Sequence, residues 1–177
     1  MSETRWLDAA EQRTWRTFML ATRLLFDEFE RDLQRTAGMP MTYYEVLVRL
    51  SEAPDGQMRM SELAELAQNS RSRLSHAVAR LEDAGWVQRR QCPSDRRGFL
   101  AVLTAEGQAA LEAAAPGHVD SVRRHLFDPL TTIQLDDLRS ICEAILTGLA
   151  ESGAVCATAL PTCTAVPDAA ATGAPTA

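Results

Sequence analysis

Apolar side chains recur at helical spacing along most of this chain, and polar or charged residues fill the positions between them. In residues 6–36 the apolar positions include Trp15, Phe18, Phe26 and Leu33, as on one face of an amphipathic α-helix. The same pattern predicts helices over residues 42–50, 62–67, 71–84 and 135–149. Thr42 is expected to cap the second helix and Thr104 the fifth. Pro116-Gly117 is expected to interrupt or kink that region before a further helical stretch over residues 118–126.

Short extended segments lie between these helices. The pattern predicts a brief strand over residues 58–60 and the two strands of a hairpin over residues 86–90 and 99–103. Gly85 ends the helix before them, and a turn-rich tip over residues 92–98 joins them. Helix, turn, helix and a two-stranded ribbon indicate a mainly α fold with a small β-wing, which is a winged helix-turn-helix plus a helical dimerisation region.

The chain divides by pattern into four segments. Residues 1–36 form an N-terminal dimerisation helix, 37–104 a DNA-binding winged helix-turn-helix, and 105–150 C-terminal dimerisation helices. The first and last helices have apolar stripes too wide for a winged helix to cover alone, so we expect a homodimer. Residues 151–177 are rich in Ala, Thr and Pro, and that composition predicts a disordered tail.

Charge is unevenly distributed along the chain. The 177 residues carry 18 basic side chains, all arginine, and 24 acidic ones, for a net charge of −6. Residues 68–100 hold seven arginines and three acids, which gives +4 and leaves −10 for the remainder. Widening the window to 58–104 still gives +3. An acidic chain with one basic region fits double-stranded DNA approached from one side.

The basic region coincides with the predicted recognition helix and hairpin. The helix after Ser70 places Leu74 and Val78 inward and leaves short or forked hydrogen-bonding side chains on the opposite face, suited to base edges and phosphates. Arginines at a thin hairpin tip suit a narrow minor groove. The predicted DNA-binding residues are Ser70, Arg71, Ser72, Arg73, Ser75, His76, Arg80, Arg89, Arg90, Asp95, Arg96 and Arg97.

Three groups of residues resemble the MarR family of bacterial transcription regulators: residues 61–64 (Ser-Glu-Leu-Ala), residues 80–87, and Asp95-Arg96-Arg97 followed by Leu103-Thr104 and Gly107. The resemblance spans about residues 10–150. It implies an obligate homodimer that binds a pseudo-palindromic operator, usually as a repressor, and is released by a small ligand or an oxidant. It also implies that Asp95 braces the wing and Arg97 enters the minor groove, while Val102 replaces a basic or polar residue of many relatives.

The resemblance places a ligand cleft between the dimer helices and the DNA-binding lobe. Aromatic walls with a few polar tips suit a small aromatic effector, such as a phenol or aromatic acid. The same side chains are also explained as ordinary core. The candidates are Trp15, Phe18, Met19, Tyr43, Tyr44, Leu47, Val122 and His125.

The sequence also leaves open alternatives to a DNA-binding regulator that a small ligand releases from DNA. Cys92, among the arginines at the base of the wing, is either a redox-sensing thiol or an incidental surface cysteine, and Cys142 is expected in the core. A winged helix used as a protein-interaction module is a further alternative. Catalytic motifs and metal-ligand spacing are missing, so we expect no enzyme activity, cofactor or metal. A polar N-terminus without a long apolar run predicts a cytoplasmic protein that does not enter membranes.

Overall fold

The computed structural model describes residues 4–66, 71–92 and 95–152, excepting the side chains of residues 66, 71 and 95–97. Its helices are α1 (Ala9–Ala37), α2 (Met41–Glu52), α3 (Met60–Leu66), α4 (Arg71–Asp83), α5 (Ala105–Val122) and α6 (Thr132–Glu151). Its strands are β1 (Gln57–Arg59), β2 (Val87–Cys92) and β3 (Asp95–Leu103). A 3-10 turn (Pro54–Gly56) precedes β1, and a π-helical segment (Arg123–Phe127) follows α5. The expected mainly helical fold with a small β-wing is confirmed.

Local signals set the ends of the first two helices. Asp8 and Glu11 form a capping box, so α1 begins after Asp8 rather than at Trp6, and Gly38 ends it with a φ of 62°. The expectation that Thr42 caps α2 is wrong, because Pro40 occupies the N-cap without a side-chain hydrogen bond. The free N–H of Met41, in the first turn of α2, instead donates to the side chain of Glu30 on α1 at 2.8 Å.

Of the two outcomes expected at Pro116, an interruption or a kink, the interruption is wrong. Pro116 lies inside α5, which runs unbroken to Val122 and continues into the π-helical segment. A proline removes one helical hydrogen bond. Ala114 and Ser121 on either side of Pro116 are buried, and α5 packs along α1, so tertiary contacts outweigh the local signal.

The sheet is antiparallel with the strand order β1-β3-β2. Gln57 pairs with Val102 in the first ladder and Val87 with Leu103 in the second, so β3 is central within the described residues. The core comes from α2, α3, α4, the sheet and the middle of α5, with contributions from α1. Its fully buried side chains include Leu33, Val46, Leu47, Leu50, Leu63, Val78, Leu81 and Ala101.

The chain separates into two compact units at residues 139 and 140. The first contains the sheet, the core and every helix through the beginning of α6. Of the second, the structure describes residues 140–152, which continue α6 as a helix. Among the described residues, no helix has the length and apolar character needed to cross a membrane.

Candidate nucleic-acid interface and ligand cavity

The α4 helix has one buried face and one exposed polar face. Leu74, Ala77, Val78 and Leu81 are at most 5% exposed and pack into the core. The spacing of these four residues leaves the other side of a straight helix facing solvent. The exposed residues on that side are Ser72, Arg73, Ser75, His76 and Arg80. The structure therefore brings five predicted DNA-binding residues together on one surface.

The two adjacent arginines of β2 have different surroundings. Arg90 is exposed and donates to the side chain of Gln88. Arg89 is half-buried and donates from Nη2 to the backbone carbonyl oxygen of Ser75, 2.7 Å away. Its Nε lies 3.2 Å from a carboxylate oxygen of Glu82, and its backbone N–H donates to the other oxygen at 2.9 Å. Arg89 thus connects the wing to α4.

The remaining predicted interface residues lie at the edge of what is described. Ser70 falls outside the described residues, as do the side chains of Arg71, Asp95, Arg96 and Arg97. The backbone from residue 95 onward belongs to β3, which is longer than the predicted strand over residues 99–103. The roles of these five residues therefore remain predictions from the sequence.

A close backbone contact joins the end of α4 to the beginning of α5. Gly85 has a φ of 76° and ends α4, as expected for glycine at this position. Thr104 caps α5 by accepting from the N–H of Gly107, and its hydroxyl donates to the carbonyl oxygen of Gly85 at 2.7 Å. A Cβ on Gly107 would lie 2.1 Å from the carbonyl oxygen of Trp86. Only glycine, which has no Cβ, fits at position 107 without moving the backbone.

A cavity of about 350 Å³ opens where α1, α2 and α5 meet. That volume is at the small end of the range for ligand sites. Its wall is largely aromatic and aliphatic, with a few ionisable groups. The lining residues are Phe26, Phe29, Met41, Tyr44, Glu45, Val48, Arg49, Glu52, His118 and Val122.

The polar groups of the cavity wall are partly desolvated. His118 lies between Tyr44 and Phe29, with ring centroids 4.6 and 6.0 Å away. Burial lowers the pKa of the His118 imidazole, which favours its neutral form, and its Nδ1 is buried without a hydrogen-bond partner among the described residues. Burial also raises the pKa values of Tyr44 and Glu45. These groups can hydrogen-bond an uncharged polar substituent.

A buried aspartate joins α1 to the C-terminal end of α5. Asp32 is 7% exposed, and its carboxylate accepts from Arg35 at 2.6 Å and from Ser121 at 2.8 Å. Arg124 and His125 lie 3.1 and 3.2 Å from the same carboxylate. The hydrogen bonds from Arg35 and Ser121 hold the pKa of Asp32 far below its usual range, although desolvation opposes them.

Comparison with known proteins identifies the family. The sequence model of the MarR family matches residues 39–99. One similar structure is that of Sco3205, a MarR family transcriptional regulator from Streptomyces coelicolor, solved in complex with DNA. The two sequences are 53% identical and the structures have a TM-score of 0.79. The match covers 84% of this chain and 93% of Sco3205. AbsC from the same organism is 46% identical, with a TM-score of 0.77 over 84% of this chain and 99% of AbsC. The transcriptional repressor MprA of Escherichia coli K12 is 26% identical over 69% of each chain. The chain belongs to the MarR family.

The ligand candidates of this MarR-family protein separate into distinct environments. Tyr44 and Val122 line the cavity. Leu47 is fully buried in the core, Tyr43 packs against the core, and His125 contacts Asp32. The remaining candidates are exposed on α1: Trp15, Phe18 and Met19.

The cysteine expectations need correction. Cys92 is 5% exposed, so its expected position on the surface of the basic wing is wrong. It follows a register shift in the β2–β3 ladder, and this local irregularity is invisible to a strand pattern. A buried thiol lacks the access that a sensor requires, which removes the support for redox sensing through Cys92. Conversely, Cys142 is exposed rather than in the core, although it lies in the apolar stripe of α6.

Several residues that shape this MarR-family site are absent from the candidates that the sequence suggests. When charges are counted, Glu82 is an acidic residue that lowers the positive charge of the DNA-binding region. In the structure it forms an ion pair with Arg89. Asp32 lies between the apolar residues Phe29 and Leu33 on the buried face of α1. A single acidic residue on such a face indicates that its charge is paired within the fold. His118 gives no comparable signal, because Tyr44 and Phe29 come from distant parts of the sequence.

Proposed function

We propose that this protein is a transcriptional repressor that binds a pseudo-palindromic DNA operator as a homodimer and is released by a small aromatic ligand. The exposed polar and basic face of α4 carries the proposal. Its serines, arginines and histidine match the donors and acceptors that base edges and phosphates present in a major groove. This function places the protein in the cytoplasm with the bacterial chromosome.

The similar proteins support the DNA-binding part of the proposal. Sco3205 was solved in complex with DNA, and MprA is named a transcriptional repressor. A mutant of MarR from E. coli, solved in complex with operator DNA, has a TM-score of 0.68 at 21% identity, which supports a shared fold. In this chain the basic region over residues 68–100 contrasts with the acidity elsewhere, which favours DNA over a protein partner as the ligand of the wing.

Exposed apolar side chains support the dimer. On α1, Trp15 is 53% exposed and Phe18 is 49% exposed, and on α6 Ile141 is 56% exposed and Ile145 is 46% exposed. Large apolar surfaces of this kind mark interfaces. We propose that residues 1–36 and 105–150 dimerise. Twofold symmetry then presents two copies of α4 to half-sites about 34 Å apart on one side of the DNA.

The first test is a salt-dependent DNA titration. If each protomer neutralises about four phosphates, the slope of log affinity against log salt is expected near −7, with two chains bound per duplex. Arg73→Ala and Arg97→Ala are expected to weaken binding, because each removes a charged donor from the proposed interface. The measurement is fluorescence anisotropy with DNA selected from a random pool.

Arg139→Ala is the control for that titration. Arg139 is exposed and paired with Asp136 on α6, outside the basic region, so affinity and slope should remain those of the wild type. Unchanged affinity in Arg97→Ala would contradict the minor-groove role of the wing. Salt-independent binding would contradict the DNA-binding function itself.

The cavity supports release by an aromatic ligand. An apolar site of about 150 Å³ already holds a benzene ring, so this larger space admits a substituted ring. Glu45 and Glu52 near Arg49 leave the wall acidic, which favours a phenol or other neutral aromatic compound over an aromatic acid. His118 and Val122 lie on α5, and the N–H of its N-cap Thr104 donates at 3.1 Å to the carbonyl oxygen of Trp86, three residues after α4. One helix therefore connects the cavity to the segment that follows α4.

Filling the cavity is expected to separate ligand response from DNA binding. Val122→Phe should place a ring in the cavity, keep DNA affinity within about threefold, and abolish dissociation by phenolic compounds. Val119→Phe, the same change at a position that is 52% exposed, is the control and should still respond. A fully responsive Val122→Phe protein would place the ligand elsewhere. Since coupling is reciprocal, DNA must also lower the affinity of the wild-type protein for the ligand.

A further inference from the structure

We propose that Arg89 is a positioning residue, which holds the wing and α4 at the angle that DNA requires, and that its side chain does not bind DNA phosphate. The inference rests on the proposed function as a DNA-binding protein. It differs from the sequence prediction, which groups Arg89 with Arg90 as DNA contacts.

The guanidinium of Arg89 is already engaged within the protein. Nη2 donates to the carbonyl oxygen of Ser75 at 2.7 Å, and Nε lies 3.2 Å from a carboxylate oxygen of Glu82. The Arg89 side chain is 28% exposed and the Glu82 side chain 31%. A phosphate would have to reach a guanidinium that is largely covered and already lies beside a carboxylate, whereas the neighbouring Arg90 is exposed.

The two partners of Arg89 are well placed to fix the orientation of a helix. Ser75 and Glu82 are seven residues apart, which is two turns, so they lie on the same side of α4 and about 10 Å apart along its axis. The Nε contact with Glu82 is an ion pair without a well-aligned hydrogen bond, and the backbone N–H of Arg89 supplies the hydrogen bond to that carboxylate, at 2.9 Å. One residue of β2 therefore holds α4 at two separate points.

The anchor acts directly on the proposed interface. The Ser75 side chain is exposed on the polar face of α4, while its carbonyl oxygen accepts from Arg89. Arg89 also pairs with Ala101 in the β2–β3 ladder, and Ala101 is fully buried, so the strand beneath the anchor is fixed in the core. Loosening this connection lets the helix and the wing move relative to each other.

Removing the Glu82 carboxylate gives a test, because electrostatics and positioning predict opposite changes in DNA affinity. Electrostatics alone predicts tighter DNA binding when an acid near the interface is lost. Positioning predicts weaker binding, by about tenfold, because the hydrogen bond and the ion pair between Glu82 and Arg89, which hold α4, are lost. Asp83→Ala is the matched control: Asp83 is the next residue, is exposed, and contacts exposed Arg80 at 3.6 Å, so its removal should not weaken binding.

The experiment measures the DNA affinity of full-length Glu82→Ala, Arg89→Gln, the double variant and Asp83→Ala between about 50 and 200 mM salt, where phosphate contacts show most clearly. Circular dichroism confirms that each variant is folded. We expect each single variant to bind about tenfold more weakly with the wild-type salt slope, and the double variant to bind no more weakly than either.

Two results would overturn the positioning role. One is tighter binding by Glu82→Ala. The other is a salt slope for Arg89→Gln that is shallower by about two, since a lost phosphate contact counts once in each protomer. A wild-type chain that does not bind DNA would overturn the proposed function and this inference together, and the wild-type titration distinguishes that case.

Discussion

Gly107→Ala is expected to destabilise the protein by about 3 kcal/mol, at the upper end of the usual cost of overpacking. The new Cβ would lie 2.1 Å from the Trp86 carbonyl oxygen and 2.9 Å from Cδ1 of Leu103. The carbonyl belongs to the backbone and cannot rotate away, so α5 must move from the end of α4. Thermal or urea unfolding followed by circular dichroism measures the loss.

Gly148→Ala is the matched control for this prediction. Gly148 lies within α6, and a Cβ there would meet nothing within 4 Å. Alanine has the higher helix propensity, so stability should rise by about 0.5–1 kcal/mol. If Gly107→Ala were as stable as Gly148→Ala, the close contact between α5 and the Trp86 backbone would be refuted.

Asp32→Asn is expected to cost about 3 kcal/mol of unfolding free energy at neutral pH, since a buried carboxylate that accepts several charge-assisted bonds is lost. Asp27→Asn, an exposed change on the same helix, should stay within about 0.5 kcal/mol of the wild type. Chemical denaturation of the three proteins gives the comparison.

The pH dependence of this difference has a definite sign. The pKa of Asp32 is lowered in the folded state by its hydrogen bonds from Arg35 and Ser121, so the unfolded chain takes up the proton more readily. The stabilisation is therefore complete above the unfolded pKa of about 4 and declines as the pH falls below it. A gap between wild type and Asp32→Asn that stays constant down to pH values near 2 would exclude the charged role of Asp32.

The candidate interface could be predicted where it depended on periodicity. Leu74 and Val78 are spaced to face the core, so the opposite side of α4, which carries Ser72, Ser75 and His76, had to face solvent. The distinction between Arg89 and Arg90 could not be predicted in this way. Alternation along a strand places them on opposite sides, but the carbonyl of Ser75 and the carboxylate of Glu82 are brought beside Arg89 by chain folding.

The ligand site was likewise predictable only in part from the sequence. An aromatic stripe on α1 is visible in the sequence, and it suggests Trp15 and Phe18, which the structure leaves exposed. The cavity instead uses Phe26 and Phe29 from farther along α1, together with His118. Helical spacing identifies the apolar side of a helix, but which part of that side faces a cavity depends on where other helices cross it.

By itself, the sequence determined the order of the elements, the inward face of α4, the concentration of arginine around α4 and the wing, and the family. These are local properties, because they follow from spacing, composition and short motifs read along the chain. The tertiary structure decided that α5 continues through Pro116, that Cys92 is buried and that Asp32 gathers Ser121 and its cationic neighbours. Each of these depends on atoms far apart in sequence, whose packing outweighs the local preference.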